Sequence, residues 1–186
     1  MPAHRILQLG DPTLRQKSCP VRSPAEAGPL LADLRDTLHE FRRTHGFGRG
    51  ISAIQIGQPW RVIYVESDGA CYALVNPAFE SLSEQKIRLW DACFSFPDLC
   101  VLVERSAAVT VHYQDQDGAS RTLEASGLLA ELLQHEMDHL DGILAIDRAI
   151  DRNSLCTRQE YERRHRGPRP GILPAANLPE SRGVTE

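Results

Sequence analysis

Apolar residues recur at spacings of three and four between Pro24 and Thr44, at Leu30, Leu31, Leu34, Leu38 and Phe41. That stripe predicts an amphipathic helix, and the glycines at 46, 48 and 50 end it. The period then changes. Arg61 to Glu66, Cys71 to Phe79, Ile87 to Leu89 and Val101 to Tyr113 are rich in Val, Ile, Tyr and Leu and are separated by turn signals such as Ser67-Asp68-Gly69. They predict short strands, mostly antiparallel because their connections are short. Asp115-Gln116-Asp117-Gly118 predicts a hairpin turn into Ser120 to Glu124. Helical spacing returns from Leu128 to Leu140, with Ser126 as candidate cap and Gly142 just past the end. Ahead of the first helix, Asp11-Pro12, Cys19-Pro20 and Ser23-Pro24 predict extended chain and turns.

The pattern weakens after residue 150. The segment from Asp151 carries Arg152, Arg158, Arg163, Arg164, Arg166 and Arg169 with Pro168, Pro170, Pro174 and Pro179, and offers little to bury. It reads as a polar tail over 151–186, with a short helix at 155–165 and disorder beyond Gly167. Residues 1–150 form the expected folded domain. The basic cluster at 163–169 is a candidate contact for nucleic acid or the ribosome, a solvated tail being the simpler reading.

Composition narrows the function classes. The 186 residues hold 21 Lys+Arg against 25 Asp+Glu, a net charge of -4, so general phosphate binding is not the business of the chain and no specific nucleic-acid partner is expected. With 41% hydrophobic and 25% charged residues, the chain is an ordinary globular protein with a real core. No apolar run approaches membrane-spanning length, and the start, Met1-Pro2-Ala3-His4-Arg5-Ile6, lacks the apolar stretch of a signal peptide, so the expected location is the cytoplasm, away from membranes. Cysteines at 19, 71, 93, 100 and 156 are odd in number and unpaired in spacing, which argues against a disulfide framework. Each is then a buried hydrophobe, a reactive thiol or a metal ligand.

The strongest chemical signal is His135-Glu136-Met137-Asp138-His139. On a helix, residues four apart share a face, so two imidazoles aim at one ion while Glu136 stands beside it to handle a proton of water. Leu128, Leu129, Leu132, Leu133 and Leu140 make the segment a packed helix rather than a polar surface. The third ligand decides the enzyme class. Metzincin proteases need a histidine three residues past Gly142, where this chain has Ala145. Gluzincin proteases use a downstream Glu, for which Glu160 and Glu162 are candidates. Upstream, Cys93 in Trp90-Asp91-Ala92-Cys93-Phe94-Ser95-Phe96-Pro97 offers a thiolate that completes a tetrahedral set with one position open.

Three motifs in order resemble the peptide deformylase family: Gly48-Arg49-Gly50-Ile51-Ser52-Ala53-Ile54-Gln55-Ile56-Gly57, a loose Asp91-Ala92-Cys93-Phe94-Ser95, and a complete Gln134 to Gly142. Gly10 to Arg15, Asn76-Pro77 and Asp115 to Gly118 match more weakly, so the resemblance covers about residues 4–150. It implies an α+β fold in which antiparallel strands surround a central metal-binding helix. It implies hydrolysis of the formyl group of formylmethionine on new proteins, an N-formyl peptide or nascent chain being the partner. Cys93, His135 and His139 hold the metal in such a protein, and the ion acidifies the attacking water. Glu136 takes the proton and passes it to the departing amine. The side-chain amide of Gln55 and the backbone N–H of Phe94 donate to the oxyanion, and Gly48, Arg49, Gly50 and Ile51 lie beside the peptide. The resident ion implied is Fe(II), with Zn(II), Ni(II) or Co(II) as substitutes; ligand type alone points to zinc.

Departures cluster at the substrate. Asp91, Ala92 and Phe94 replace Glu, Gly and Leu of the second motif, with Phe94 expected to crowd the metal's surroundings. Arg49 stands where an apolar residue is usual, and Glu131 lies one turn before His135 on the metal-facing side. Both are expected to border the side-chain pocket and make it narrower or more polar, with Arg105 adding to it; the alternative has both chains turned to water. Two other functions fit the residues: an amidase acting on a different N-formyl or N-acyl compound, and an inactive peptide-binding relative. Glu136 and Gln55 argue against the last.

Overall fold

A computed structural model describes residues 3–164. The helix expected from Pro24 begins as a 3-10 turn, Pro24–Ala27, and becomes α1 at Gly28–His45. Its apolar stripe is buried at Leu31, Leu34, Leu38 and Phe41. The second helix, α2, spans Gly127–Leu140, with Ser126 at its N-cap position but without a side-chain capping bond. Eight strands are present: β1 Gly50–Ser52, β2 Val62–Ser67, β3 Ala70–Leu82, β4 Lys86–Ala92, β5 Leu99–Ser106, β6 Ala108–Gln114, β7 Ser120–Ser126 and β8 Leu155–Thr157. They form two antiparallel sheets, ordered β1-β2-β3-β6-β7 and β4-β5-β8.

The single β-rich stretch expected from Val101 to Tyr113 is in fact two strands in different sheets. Ala107 separates them: its N–H bonds Gln85 and its carbonyl accepts from Gly127, so neither ladder continues through it. Asn76-Pro77, expected after a strand, sits inside β3. There the β3–β6 register shifts between Val75 and Ala78, a bulge that tolerates a proline lacking a donor. The Asn76 side chain fills the irregularity by bonding both Val21 backbone groups and Gln114.

Among the described residues, the segment after residue 150 packs onto the rest of the fold, and the short helix expected at 155–165 is present as Arg158–Arg164. β8 pairs with β5 through Leu99↔Thr157, Cys100↔Cys156 and Val101↔Leu155. Behind it, α3 (Arg158–Arg164) buries Tyr161, whose ring meets Trp90 edge-on at 5.6 Å. The tail therefore does have something to bury, and one aromatic residue in a charged segment was too small a periodic signal to reveal it. The disorder expected beyond Gly167, and most of the basic cluster, lie outside the described residues.

Three apolar clusters hold the elements. α1 packs on β1 and β2 around Phe41, Phe47, Ile51, Tyr64 and Phe94. α2 packs against β2, β6 and β7 through Leu132, Leu133, Met137 and Leu140. A third cluster, with Leu14, Phe96, Val101 and Leu144, encloses Cys93. α2 is thus surrounded by both sheets, and every residue from Ala130 to Leu140 is buried. Burial extends to its polar side chains, which is costly unless each finds a partner. Gln134 shows how this is met: its amide bonds both the N–H and the carbonyl of Ser106, continuing the β5 ladder with a side chain. Among the described residues no helix is long and apolar enough to cross a membrane.

Candidate functional site

α2 carries His135 and His139 one turn apart on the face turned toward the β4–β5 connection, and Cys93 follows β4 in that connection. The Nε2 atoms of the two histidines lie 3.2 Å apart, and the Cys93 sulfur lies 3.2 Å from His139 Nε2. All three side chains are buried, and the ligand atoms converge on one point. A single ring proton satisfies only one of these close contacts and leaves lone pairs facing lone pairs. A divalent ion satisfies all three, since tetrahedral S and N ligands on such an ion stand about 3.4 Å apart. The donor set therefore fits the metal that the sequence motif implies.

His135 is oriented from behind. Its Nδ1 lies 2.8 Å from Asp91 Oδ2, which fixes Nε2 as the metal-facing atom. Arg105 reaches the same Asp91 oxygen at 3.3 Å and also bonds Asp138, which accepts from Arg148 at 2.7 Å. Burial opposes ionisation of Asp91, but His135 and then Arg105 outweigh it and hold the carboxyl well below its usual range. Burial likewise opposes charge on His135, which Asp91 nonetheless raises, while burial and the neighbouring His135 lower His139. Arg105, expected at the peptide, is instead buried at 4% exposure behind the metal ligands. A charged side chain at that depth is stable only with anionic partners, and Asp91 and Asp138 supply them.

Glu136 points the other way, toward β1. Ser52 donates to its Oε2 at 2.5 Å and to its backbone carbonyl at 3.0 Å. Burial pushes the Glu136 carboxyl up to about 7, with His135 and the Ser52 bond pulling against it. A Cβ on Gly50 would stand 2.7 Å from Glu136 Oε1, so the close passage of β1 requires glycine there. Gln55 sits in the 3-10 turn Ala53–Ile56. Its Oε1 accepts from the Ser52 N–H at 2.9 Å, and its Nε2 reaches Ser95 Oγ at 3.3 Å and the Cys93 sulfur at 3.6 Å. Ser52 therefore links Gln55, which reaches the Cys93 sulfur, to Glu136.

The remaining expected residues surround a narrow cavity of about 20 Å³ lined by Gly48, Arg49, Gly50, Asp91, Ala92, Phe94, Glu131, His135 and Glu136, among others. Arg49 and Glu131 do border it, and neither turns to water: Arg49 donates to Glu131 at 2.7 Å and to the Leu128 carbonyl at 3.0 Å. Burial, then the Asp91 charge, raises the Glu131 carboxyl against the pull of Arg49. Ile51 is a fully buried core residue packed with Phe41 and Tyr64 rather than a side chain facing the cavity. Only its backbone is available to a peptide. The Phe94 ring, expected to crowd the metal's surroundings, lines this cavity and stacks on Phe41 in the α1 core at 3.9 Å. Gly48, at φ 121, passes directly over that ring, where any Cβ would overlap it. Arg42 anchors this passage by donating to the Gly48 carbonyl at 3.0 Å.

Glu160 lies on α3, exposed and paired with Arg163 and Arg164, apart from the cysteine and histidine ligands. Sequence reasoning missed Ser52, Asp91 and Asp138 as partners of the site. Ser52 carried a signal, a hydroxyl at the first of two successive positions where the family's first motif has alanine; Asp91 did too, as the acidic residue kept two before the cysteine.

The polypeptide deformylase family model matches residues 3–154. Peptide deformylase of Rhizobium meliloti is 38% identical over 148 residues, covering 76% of this chain and 82% of the relative. The crystal structure of peptide deformylase from Thermotoga maritima superposes with a TM-score of 0.76 at 30% identity, covering 81% of this chain and all of that one. The Synechococcus elongatus enzyme, solved in complex with actinonin, superposes at 0.77 with 32% identity, covering 83% of this chain and 82% of its own. The side chains gathered on α2, β1 and the β4–β5 connection sit in a chain that belongs to the polypeptide deformylase family.

Proposed function

We propose that this protein removes the N-formyl group from the N-terminal formylmethionine of newly made proteins, releasing formate, in the cytoplasm and with Fe(II) as resident ion. The observation that carries this reading is the pairing of the Cys93, His135 and His139 ligand set with a buried carboxyl, Glu136, held by Ser52 on the substrate side. When bound, the ion supplies Lewis acidity at the formyl oxygen and a water of lowered pKa. Zn(II), Ni(II) or Co(II) suits the same thiolate and imidazole donors.

The chain's own groups account for the rest. β1 is an edge strand of its sheet, so a peptide adds beside Gly48–Ile51 through backbone bonds, with its first residue toward Glu136. Glu136, poised near neutrality, takes a proton from the attacking water and returns it to the amine as the carbon–nitrogen bond breaks. The Gln55 amide and the Phe94 backbone N–H donate to the oxygen that gains charge in between. Asp91 keeps His135 in one tautomer, and Ser52 keeps the Glu136 carboxylate turned to the substrate.

The test is formate release from formyl-Met-Ala-Ser by protein loaded with Fe(II) or Ni(II), beside the chelator-stripped protein and a Cys93→Ala variant. Turnover in the loaded protein alone is the expected result. Equal release without metal overturns the assignment.

A further inference from the structure

The cavity beside Glu136 contains a pair of charges that the reaction does not need. We propose that the Arg49–Glu131 ion pair is specificity-determining: it makes the subsite for the first side chain polar and favours N-formyl peptides whose first side chain ends in a neutral hydrogen-bond acceptor. This deepens the deformylase reading and rests on it.

The position of the pair comes first. Arg49 and Glu131 line the same cavity as His135 and Glu136. The formyl carbon must reach Glu136 and the metal ligands, so the side chain that begins three bonds away, on the residue that bears the formyl nitrogen, faces this cavity. At about 20 Å³ the space holds little more than one water. A side chain that enters a space this narrow lies close to the pair.

The chemistry of the contact then selects. Arg49 is 8% exposed and Glu131 2% exposed, so neither charge is solvated. Two of the guanidinium nitrogens are engaged, with Leu128 and Glu131, while Nε is buried without a partner among the described residues. A buried, unpaired donor is costly, and a ligand oxygen able to reach it would recover the loss. A hydrocarbon side chain leaves it unpaired. A carboxylate entering here meets Glu131 and Asp91, whose oxygens lie within 4.8 Å of each other, as well as Glu136. A cation meets Arg49 and the metal. What remains is a neutral acceptor. The methionine thioether is a weak one, whereas an amide or sulfoxide oxygen is strong. Stability does not explain the pair, since apolar residues of similar volume serve a buried site at least as well.

The experiment compares kcat/KM of the Ni(II)-loaded protein for formyl-X-Ala-Ser, with X being norleucine, methionine, glutamine or methionine sulfoxide. The expected order places glutamine and methionine sulfoxide at least about tenfold above norleucine, with methionine between, because a site with an unpaired donor rejects the analogue lacking the acceptor. The Arg49→Met/Glu131→Leu double variant is expected to reverse that order at unchanged metal content. Norleucine equal to or above the oxygen-bearing peptides in the wild-type protein overturns the inference and leaves the deformylase reading standing, whatever the variant does. No formate from any of the four peptides overturns both.

Discussion

Replacing Asp91 separates metal binding from folding in a way the geometry makes quantitative. Asp91 is 4% exposed and its Oδ2 serves two donors, His135 Nδ1 at 2.8 Å and Arg105 at 3.3 Å. In Asp91→Asn the charge is gone but the shape and one acceptor remain, so Arg105 still has Asp138. The loss falls on the orientation and basicity of the His135 ring. Removing such a partner of a metal-ligating histidine costs about 10–100-fold in affinity, or about 1.4–2.8 kcal/mol. Asp91→Ala adds a cavity and takes one of two anions from a buried arginine. Breaking a buried pair costs about 3–5 kcal/mol, and the surviving Asp138 keeps the cost near the lower end. For a chain of this size about 3 kcal/mol lowers the melting temperature by roughly 6–12 °C. Chelator competition with Zn(II) and thermal melting of the metal-free proteins measure the two effects. An Asp91→Asn protein that binds Zn(II) within twofold of wild type refutes the orienting role.

Four further substitutions probe other parts of the structure. Gly50→Ala puts a methyl 2.7 Å from Glu136 Oε1 and 3.0 Å from Leu132 and Val65; it should lower kcat about 100-fold by displacing the carboxylate while metal content is unchanged, and normal turnover would contradict the close approach. Gly48→Ala collides with the Phe94 ring at a left-handed φ, so denaturant unfolding should show a loss of at least about 2 kcal/mol. Ser52→Ala removes the donor that favours the ionised form of Glu136. With that form disfavoured the carboxyl titrates higher still, so the acidic limb of the kcat/KM profile should move to higher pH; an unmoved limb would count against the contact. Tyr161→Ala empties the space against Trp90 and should cost about 3 kcal/mol, whereas a melting temperature unchanged from wild type would return residues beyond 150 to the status of an independent tail.

The two helices and the metal-ligand turn of α2 were legible because their information is local: a 3.6-residue stripe and two imidazoles four apart on one face. Cys93 was legible only through the resemblance, since nothing in its own neighbourhood distinguishes a ligand from a core thiol. The polar border formed by Arg49 and Glu131 was legible as a departure from a motif, but their mutual bond spans 82 positions. Contacts at that separation leave no periodic trace. The same limit hid the Ser52 bond to Glu136 and the Arg105 bridge from Asp91 to Asp138. The reading of Arg105 as a peptide contact failed because a charged residue in a strand looks exposed until its buried anions are placed around it. The stacking of the Phe94 ring on Phe41 was hidden for a related reason: which side of the chain a residue next to a ligand takes is set by the turn, and here Gly48 leaves room for the ring. Strand β8 was missed because three residues in an arginine-rich segment carry too short an alternation to register.

The central claim, that Glu136 performs proton transfer beside a metal held by Cys93, His135 and His139, is tested most directly by Glu136→Ala. Metal stoichiometry and formate release from formyl-Met-Ala-Ser are measured on the same Ni(II)-loaded samples of variant and wild type. The structure predicts equal metal content, because Glu136 is bonded to Ser52 and is not one of the converging ligand residues, with formate release lost from the variant. Formate release retained in the variant at a rate near that of wild type would contradict it.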